Sequence, residues 1–270
     1  MGWIDRLPGV RGLILDMDGV LWKDSAPIGD LPVIFEHIRA RGLKVTLATN
    51  NATRSVEQYL EKLHGFGVSL QPEQIISSAM AAGAYLLERY PAGSCLFIVG
   101  EESLKTYVRG LGYTVLEHAD DVMPRFGEIV TVLSAMDRSL NYEKLRLAGL
   151  LIRAGVPFIG TNPDKTFPTP HGLVPGAGSI LALLEAATSV SPVIMGKPAT
   201  MLFELAMRRM GLAGTETLAV GDRMDTDIRG GQAAGCLTAA VLSGVTDRPE
   251  AECWQPAPTI IAPDLASLVD

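Results

Sequence analysis

Two aspartates follow the first apolar segment of the chain. Residues 13–15 are Leu-Ile-Leu, and Asp16 and Asp18 come directly after them. Side chains two residues apart in an extended chain lie on the same side, so the two carboxylates can converge, and Gly19 permits a sharp turn behind them. Carboxylates of this kind can bind a metal ion, act as a nucleophile or transfer protons. Aspartates are also ordinary turn residues, so this motif alone leaves a structural interpretation open.

A second apolar segment, residues 218–220, also ends in acidic side chains. Asp222 follows it after one glycine, and Asp227 lies five residues further along the chain. Capping of a following helix by Asp225, Thr226 or Asp227 accounts for one of these acids. It does not account for Asp222, which is therefore the predicted functional acid of this segment.

Two more apolar segments end in groups that suit an anion. Thr49, Asn50 and Asn51 follow one of them, and Lys197 follows the other after a glycine. The structural alternatives are a polar turn for the first and, for the second, a solvated lysine before a proline that begins a helix. Both alternatives stay open while each segment is considered alone.

Taken together, the four segments predict one site. If they are strands of one parallel sheet, their carboxyl ends face the same crevice, which is where ligands bind in open α/β sheets. Two carboxylates 4 Å apart repel by about 4 kcal/mol at an effective dielectric constant near 20, so a positive charge is needed there. Oxygen ligands without His or Cys select a hard cation, and an open octahedral site favours Mg²⁺. Such an ion beside a lysine, a hydroxyl and a nucleophilic carboxylate is what phosphoryl transfer requires.

The elements that would position these groups follow an alternating pattern. Short apolar runs alternate with segments of helical period, which is typical of a parallel sheet covered by helices on both faces. Strands are predicted at 13–15, 44–48, 95–99, 129–133, 157–160, 193–195, 218–220, 238–241 and 259–261, with helices that include 31–42, 79–90, 102–110, 142–154 and 201–210. About ten strands are too many for one sheet of ordinary size, so two α/β units are expected.

Composition excludes several classes of function. The chain has 23 Lys plus Arg against 30 Asp plus Glu, a formal net charge of −7, and no basic stripe, so a nucleic acid polymer is not an expected partner. The longest apolar stretch spans nine residues, about half of a membrane crossing, so no membrane contact is expected. The first six residues lack the apolar core of a signal peptide, which makes the cytoplasm the expected location. The three cysteines have no C-x-x-C spacing, so neither a disulfide framework nor a zinc site is predicted.

The sequence resembles the haloacid dehalogenase superfamily of aspartyl phosphatases. The matching residues are D-x-D-G at Asp16, the threonine Thr49, the lysine Lys197 and G-D-x-x-x-x-D at Asp222 and Asp227. Longer strings at 49–51, 161–164, 175–179, 196–198 and 221–228 are similar to one branch, the NagD and 4-nitrophenyl phosphatase-like enzymes of type IIA with a C2 cap. The resemblance implies an α/β fold with a doubly wound, mostly parallel Rossmann-like core. It places the core at 1–80 and 186–270 and an inserted α/β cap at 81–185.

The resemblance also implies roles for the motif residues. Asp16 would attack phosphorus and become an aspartyl-phosphate, and Asp18 would protonate the leaving oxygen and then deprotonate the water. One oxygen of Asp16, the backbone carbonyl of Asp18 and Asp222 would hold Mg²⁺, with Asp227 orienting its waters. Phosphoryl oxygens would be bound by Thr49 and Lys197, and phosphate or substrate by the amides of Asn50 and Asn51.

The substrate implied is a small phosphorylated metabolite, hydrolysed as a phosphate monoester. The cap loop at 164–171 is expected to lie over the leaving group, with Asp164, Phe167 and His171 as candidate substrate contacts, although ordinary turn residues explain them equally well. A homodimer through the cap is one option that the resemblance leaves open. Two other activities also stay open: a phosphotransferase or mutase of the same superfamily, and a receiver-like domain that only accepts phosphate.

Overall fold

The chain forms two compact units. The computed structural model describes residues 3–169 and 171–270. The first unit contains the described residues up to Thr49, together with Val56–Ile76 and Lys197–Asp270. The second contains Asn50–Ser55 and Ser77–Gly196. Both units are therefore assembled from segments that are separated along the sequence.

Strands and helices alternate along most of the chain. The strands are β1 Gly12–Leu15, β2 Trp22–Lys23, β3 Ala26–Pro27, β4 Lys44–Thr49, β5 Ile75–Ser77, β6 Cys95–Val99, β7 Thr114–Leu116, β8 Ile129–Ser134, β9 Phe158–Gly160, β10 Thr166–Thr169, β11 Gly172–Pro175, β12 Val193–Ile194, β13 Thr217–Gly221, β14 Leu237–Val241 and β15 Ile260–Ala262. The helices are α1 Leu31–Ala40, α2 Val56–Gly65, α3 Ser78–Arg89, α4 Glu102–Gly110, α5 Ala119–Val122, α6 Tyr142–Arg153, α7 Ala177–Thr188, α8 Met201–Met210, α9 Arg229–Ala233, α10 Arg248–Cys253 and α11 Leu265–Val269.

The first unit is built on a six-stranded sheet with the order β15-β14-β13-β1-β4-β5. Strand β1 lies between β13 and β4 and pairs in parallel with both. The pairings of β13 with β14 and of β14 with β15 are parallel as well. Every residue of β1 and β13 is buried. Short, uninterrupted apolar runs form these strands because both faces of a covered parallel sheet are buried.

The first helix of this unit shows how local sequence sets the element boundaries. Asp30 precedes α1, and its carboxylate accepts a hydrogen bond from the backbone N–H of Val33. The helix ends at Ala40, and Gly42 follows with a φ of +67°, which suits a residue without a side chain. The chain then enters β4 and so reaches the edge of the sheet where the strands end.

The second unit has its own five-stranded sheet, with the order β12-β9-β8-β6-β7. All of its pairings are parallel. Side chains of Ser77 and Asn141 cap α3 and α6 by accepting backbone N–H groups. Helices α6 and α7 bury apolar side chains against β6, β8 and β9, and the resulting core includes Phe97, Val132, Leu147, Leu151 and Leu184.

The predicted α/β class, with mostly parallel sheets covered by helices, is confirmed. The segment at 193–195 is a strand over Val193–Ile194, but it pairs with β9 in the second unit. Contacts group this strand, like Asn50–Ser55, with the second unit. No helix among the described residues combines the length and apolar character that a bilayer crossing requires.

The segment at 164–171 is not the simple loop that was expected. Thr166–Thr169 forms β10, which pairs antiparallel with β11 at Gly172–Pro175. The composition of this segment favours a loop, but the antiparallel pairing runs over four residues, from Thr166 opposite Pro175 to Thr169 opposite Gly172. Residue 170 lies outside the described residues.

Candidate active site

Three carboxylates meet where the strands of the first sheet end. Leu15 of β1 is in register with Val220 of β13, and the backbone N–H of Asp16 donates to the Val220 carbonyl at 2.9 Å. Asp16 and Asp222 therefore leave neighbouring strands at the same edge. Carboxylate oxygens of Asp16, Asp222 and Asp227 lie within 4.8 Å of one another. The structure thus brings together acids that are 206 residues apart in the sequence.

Lys197 places an ammonium group inside this cluster. Its Nζ lies 2.5 Å from Asp16 Oδ1 and 2.5 Å from Asp227 Oδ1, and it donates to the Ala48 carbonyl at 3.1 Å. Only 4% of the Lys197 side chain is exposed. The solvated lysine that the sequence left open is therefore excluded, because this lysine is buried among acids.

The charges of these four groups do not balance. Three carboxylates against one ammonium leave two negative charges in excess when all are ionised. Burial, opposed by Lys197 and reinforced by Asp227 and Asp222, raises the pKa of Asp16 well above its usual value. Burial and the neighbouring Asp227 raise the pKa of Asp222 to about 6. Burial would lower the pKa of Lys197, but the adjoining carboxylates outweigh it and raise that pKa.

Glycines leave the space that Asp222 occupies. A Cβ at Gly19, where φ is +82°, would lie 2.3 Å from Asp222 Oδ2, and one at Gly244 would lie 1.9 Å from the same oxygen. The backbone N–H of Val245 donates to Asp222 Oδ2 at 2.8 Å, and the backbone N–H of Thr246 donates to the Asp222 carbonyl at 3.1 Å. The loop that follows β14 therefore fixes the Asp222 side chain and main chain together.

The remaining acids have equally specific partners. Asp227 Oδ2 accepts the backbone N–H of Arg223 at 3.1 Å, which turns its carboxylate back toward the strand end. Asp18 is exposed, and its Oδ1 accepts the indole N–H of Trp22 at 2.8 Å. Thr49 ends β4 and is 3% exposed. All five predicted core-site residues near these strand ends, Asp16, Asp18, Thr49, Asp222 and Asp227, thus belong to the first unit with Lys197.

Asn50 and Asn51 belong by their contacts to the second unit. Asn50 Nδ2 donates to Asp164 Oδ2 at 3.2 Å, and the Asn50 carbonyl accepts from Asn162 Nδ2 at 2.7 Å and from Ser78 Oγ at 2.5 Å. Asn51 Oδ1 accepts the backbone N–H of Thr53 at 2.8 Å, as in an Asx turn. Two of the predicted substrate contacts, Asn50 and Asp164, are therefore hydrogen-bonded to each other.

The two remaining candidates from the sequence lie on the hairpin of the second unit. Phe167 is on β10 and is half-buried, and His171 is exposed just before β11. The backbone N–H of His171 donates to Thr169 Oγ1 at 3.3 Å.

Sequence reasoning missed the residues that support the site from outside the motifs. Trp22 bonds to Asp18, and Ser243 Oγ donates to the Gly19 carbonyl at 2.6 Å. Strand β14 was predicted, and the Ser-Gly pair after it marks another strand end in the same sheet. This strand end gives no signal in the sequence, because neither residue of the pair is titratable and the adjoining Val245 and Thr246 act through their backbone N–H groups.

The donor set fits a divalent cation. The carboxylates of Asp16, Asp222 and Asp227 supply only oxygen, which is the ligand type of hard cations. A dication would neutralise the two negative charges by which the three carboxylates exceed the Lys197 ammonium. The residues present therefore match an ion of the Mg²⁺ or Ca²⁺ type in both charge and donor chemistry.

Comparison with known families gives matches at both ends of the chain. A family model described as haloacid dehalogenase-like hydrolase matches residues 13–114, and a HAD-hydrolase-like model matches residues 194–268. The first match contains Asp16 and Thr49, and the second contains Lys197, Asp222 and Asp227.

Individual relatives match over nearly the whole chain. The 5'-nucleotidase YutF of Bacillus subtilis is 35% identical over 88% of this chain and 89% of its own. The glycerol phosphate phosphatase of Mycobacterium tuberculosis, solved in complex with magnesium, superposes with a TM-score of 0.87 at 33% identity over 96% of this chain and 76% of that chain. The p-nitrophenyl phosphatase of Archaeoglobus fulgidus gives 0.88 at 30% identity, over 97% and 99% of the two chains.

Proposed function

The chain belongs to the haloacid dehalogenase-like hydrolase family, and we propose that it is a Mg²⁺-dependent phosphatase that hydrolyses small phosphate monoesters through an aspartyl-phosphate on Asp16. Its enzyme class is supported by relatives that are named as a 5'-nucleotidase and as phosphatases. The observation that carries the proposal is the buried cluster in which Lys197 Nζ lies 2.5 Å from Asp16 Oδ1 beside two further carboxylates. We also propose that the first unit is the catalytic core and the second the cap.

Asp16 is the best-placed nucleophile of the cluster. Its side chain is 13% exposed, whereas those of Lys197 and Asp227 are 4% exposed, so substrate has most access to Asp16. Asp222 and Asp227 each accept a backbone N–H group, which fixes them in place. Lys197 keeps its proton because adjoining carboxylates raise its pKa, and it favours the ionised, nucleophilic form of Asp16.

The chemistry proceeds in two displacements at phosphorus. A carboxylate oxygen of Asp16 forms a bond to phosphorus while the bond from phosphorus to the ester oxygen breaks, and Asp18 gives its proton to that oxygen. Asp18, now a base, removes a proton from a water molecule that attacks phosphorus, and the bond from phosphorus to Asp16 breaks. The sum is one ester and one water converted to one alcohol and inorganic phosphate, with both aspartates restored.

The other residues stabilise charge on the phosphoryl group. Lys197 donates to phosphoryl oxygens as well as to Asp16, and the Thr49 hydroxyl donates to another of them. Asp16, Asp222 and the backbone carbonyl of Asp18 would hold Mg²⁺, with Asp227 orienting its waters; when bound, the ion supplies positive charge to the phosphoryl oxygens.

The proposed substrates are small phosphorylated metabolites. The relatives named above act on a nucleotide, on glycerol phosphate and on p-nitrophenyl phosphate, so the shared chemistry is the monoester group rather than one alcohol. Asn50, Asn51, Asp164, Phe167 and His171 are the proposed contacts to phosphate or to the alcohol part. A panel of phosphate esters identifies which of these alcohols is preferred.

The first experiment measures release of 4-nitrophenol from 4-nitrophenyl phosphate with Mg²⁺. We expect turnover that chelator abolishes and added Mg²⁺ restores, and loss of turnover in Asp16→Asn. Asp225→Asn is the matched control, because Asp225 lies near the cluster in sequence but is 60% exposed and paired with Arg223. That variant should keep wild-type activity.

Two results would contradict the proposal. One is the absence of turnover by the wild-type enzyme on every ester of a broad panel in the presence of Mg²⁺. The other is an Asp16→Asn variant that is as active as the Asp225→Asn control.

A further inference from the structure

The chain turns back immediately after Asp18 and presents an indole N–H group to its carboxylate. The backbone N–H of Gly19 donates to the Trp22 carbonyl at 2.8 Å, and the backbone N–H of Trp22 donates to the Met17 carbonyl at 3.3 Å. These bonds close the turn. Within it, Trp22 Nε1 donates to Asp18 Oδ1 at 2.8 Å.

The indole ring is itself held firmly. Trp22 is 1% exposed, and the ring of Phe66 packs against it with centroids 6.0 Å apart. The ammonium of Lys62 lies 4.0 Å from the indole centroid, and it is anchored by donating to the Asp24 carbonyl at 3.0 Å. A rigid buried ring thus directs its N–H group at an exposed carboxylate.

The donor of this hydrogen bond is buried and its acceptor is exposed, so the bond can restrict the conformation of the Asp18 side chain. An exposed aspartate samples several rotamers, and fixing one of them costs conformational entropy. A hydrogen bond from a buried donor to a carboxylate is of the stronger, charge-assisted kind, so it can hold one rotamer. Because Oδ1 accepts the indole N–H, Oδ2 is the oxygen left to carry and deliver a proton.

We propose that Trp22 is a positioning residue, which holds Asp18 with Oδ2 directed for proton exchange with the leaving oxygen and does not itself touch the substrate. This inference rests on the proposed function, in which Asp18 is the general acid. Nothing in the motif around Asp16 assigns such a role to Trp22.

If Trp22 no longer positions Asp18, the fall in rate should be larger for a leaving group that needs a proton to depart. Correct general acid catalysis contributes about 10²- to 10⁴-fold for a poor leaving group. A 4-nitrophenolate departs readily without a proton, whereas a 4-methoxyphenolate does not. A purely structural defect would slow both esters equally, so the ratio of their rates isolates the positioning role.

The experiment compares kcat/KM for 4-nitrophenyl phosphate and 4-methoxyphenyl phosphate in wild type and Trp22→Phe. This quantity reports the step that forms the aspartyl-phosphate, in which Asp18 acts as the acid. We expect the ratio of the two values to rise by at least about 10-fold in Trp22→Phe, and further in Asp18→Asn. Phe66→Leu is the control: it removes packing against the ring but leaves the N–H group, so its ratio should equal that of wild type.

A second replacement of Trp22 separates loss of the N–H group from a change in the shape of the side chain. 3-Benzothienylalanine at position 22 keeps the ring shape but replaces the N–H group with sulfur, and it should raise the ratio as Trp22→Phe does. An unchanged ratio in this variant, with the wild type active on both esters, would overturn the inference and leave the proposed function intact. A wild-type enzyme inactive on both esters would instead overturn the proposed function, and the inference with it.

Discussion

Gly244 lies against Asp222, a proposed metal ligand. The substitution Gly244→Ala adds a single methyl group and should disable the site. A Cβ there would lie 1.9 Å from Asp222 Oδ2, 2.4 Å from Cγ and 2.6 Å from Cβ of the same side chain. The φ of Gly244 lies outside the left-handed region, so alanine is allowed by the backbone. The whole effect therefore acts through Asp222.

The size of the required shift follows from these contacts. Real Cβ atoms do not approach a heavy atom within 3.0 Å, so relieving a 1.9 Å contact moves the carboxylate, or the loop, by at least about 1.1 Å. Metal sites tolerate deviations of about 0.2 Å in ligand distance. A misplacement of about 1 Å in a catalytic constellation costs on the order of 100-fold in rate. We therefore expect kcat to fall about 100-fold and the Mg²⁺ concentration that gives half-maximal rate to rise.

The assay is a Mg²⁺ titration of 4-nitrophenyl phosphate hydrolysis, with thermal unfolding measured in parallel. Gly65→Ala is the matched control, because a Cβ at Gly65 at the end of α2 meets nothing within 4 Å. That variant should be as active as wild type. A Gly244→Ala enzyme with wild-type kcat and unchanged Mg²⁺ dependence would show that activity does not depend on the position of Asp222, and would contradict its role as a metal ligand.

Three further predictions concern other parts of the molecule. Lys197→Met should lower kcat at least about 100-fold, because it removes a donor to the phosphoryl group; a drop below 10-fold would contradict its role. In the second unit, burial would raise the pKa of Asp137, but hydrogen bonds from Lys144 and Ser139 outweigh it and lower that pKa. The ionised carboxylate therefore stabilises the fold fully above the pKa of an unfolded aspartate, about 3.9. This stabilisation is lost as the pH falls through the lower pKa of the folded state. Lys144→Met should therefore lower the unfolding free energy by about 3 kcal/mol at pH 7. Urea denaturation should show a smaller loss below pH 4, and an equal loss at pH 7 and below pH 4 would contradict this role of the Asp137 carboxylate. Burial raises the pKa of Cys236 to about 11, so iodoacetamide at pH 8 should modify exposed Cys253 and leave Cys236 intact by mass spectrometry; equal labelling would be the contrary result.

The acids of the site could be predicted because their position follows from strand order alone. Asp16 and Asp222 come directly after runs that are apolar throughout, and such runs are strands of a covered parallel sheet. Parallel strands end at one edge, so polar residues at their ends converge without any knowledge of the helices. This argument does not cover Lys197, because the strand before it pairs with β9 in the sheet of the second unit. The prediction that all four segments are strands of one sheet is therefore wrong for this segment, although Lys197 does reach the acids.

The supporting contacts could not be predicted, for two physical reasons. Val245 acts through its backbone N–H group, and every residue except proline has one, so the side chain gives no signal. The sequence pattern indicates that Trp22 is an ordinary core residue. Only the geometry of the turn shows that its indole N–H donates to Asp18. The pairing of Val193–Ile194 with β9 was equally hidden, since a two-residue strand has no periodicity to detect.

The proposed function requires Asp16 and Asp222 to share one divalent ion beside Lys197. Mn²⁺ accepts the same oxygen ligands as Mg²⁺ and scatters anomalously, so crystals grown with Mn²⁺ report its position directly. We expect one anomalous peak within about 2.4 Å of a carboxylate oxygen of both Asp16 and Asp222. A peak that contacts only one of them, or no peak in crystals of an active enzyme, would contradict it.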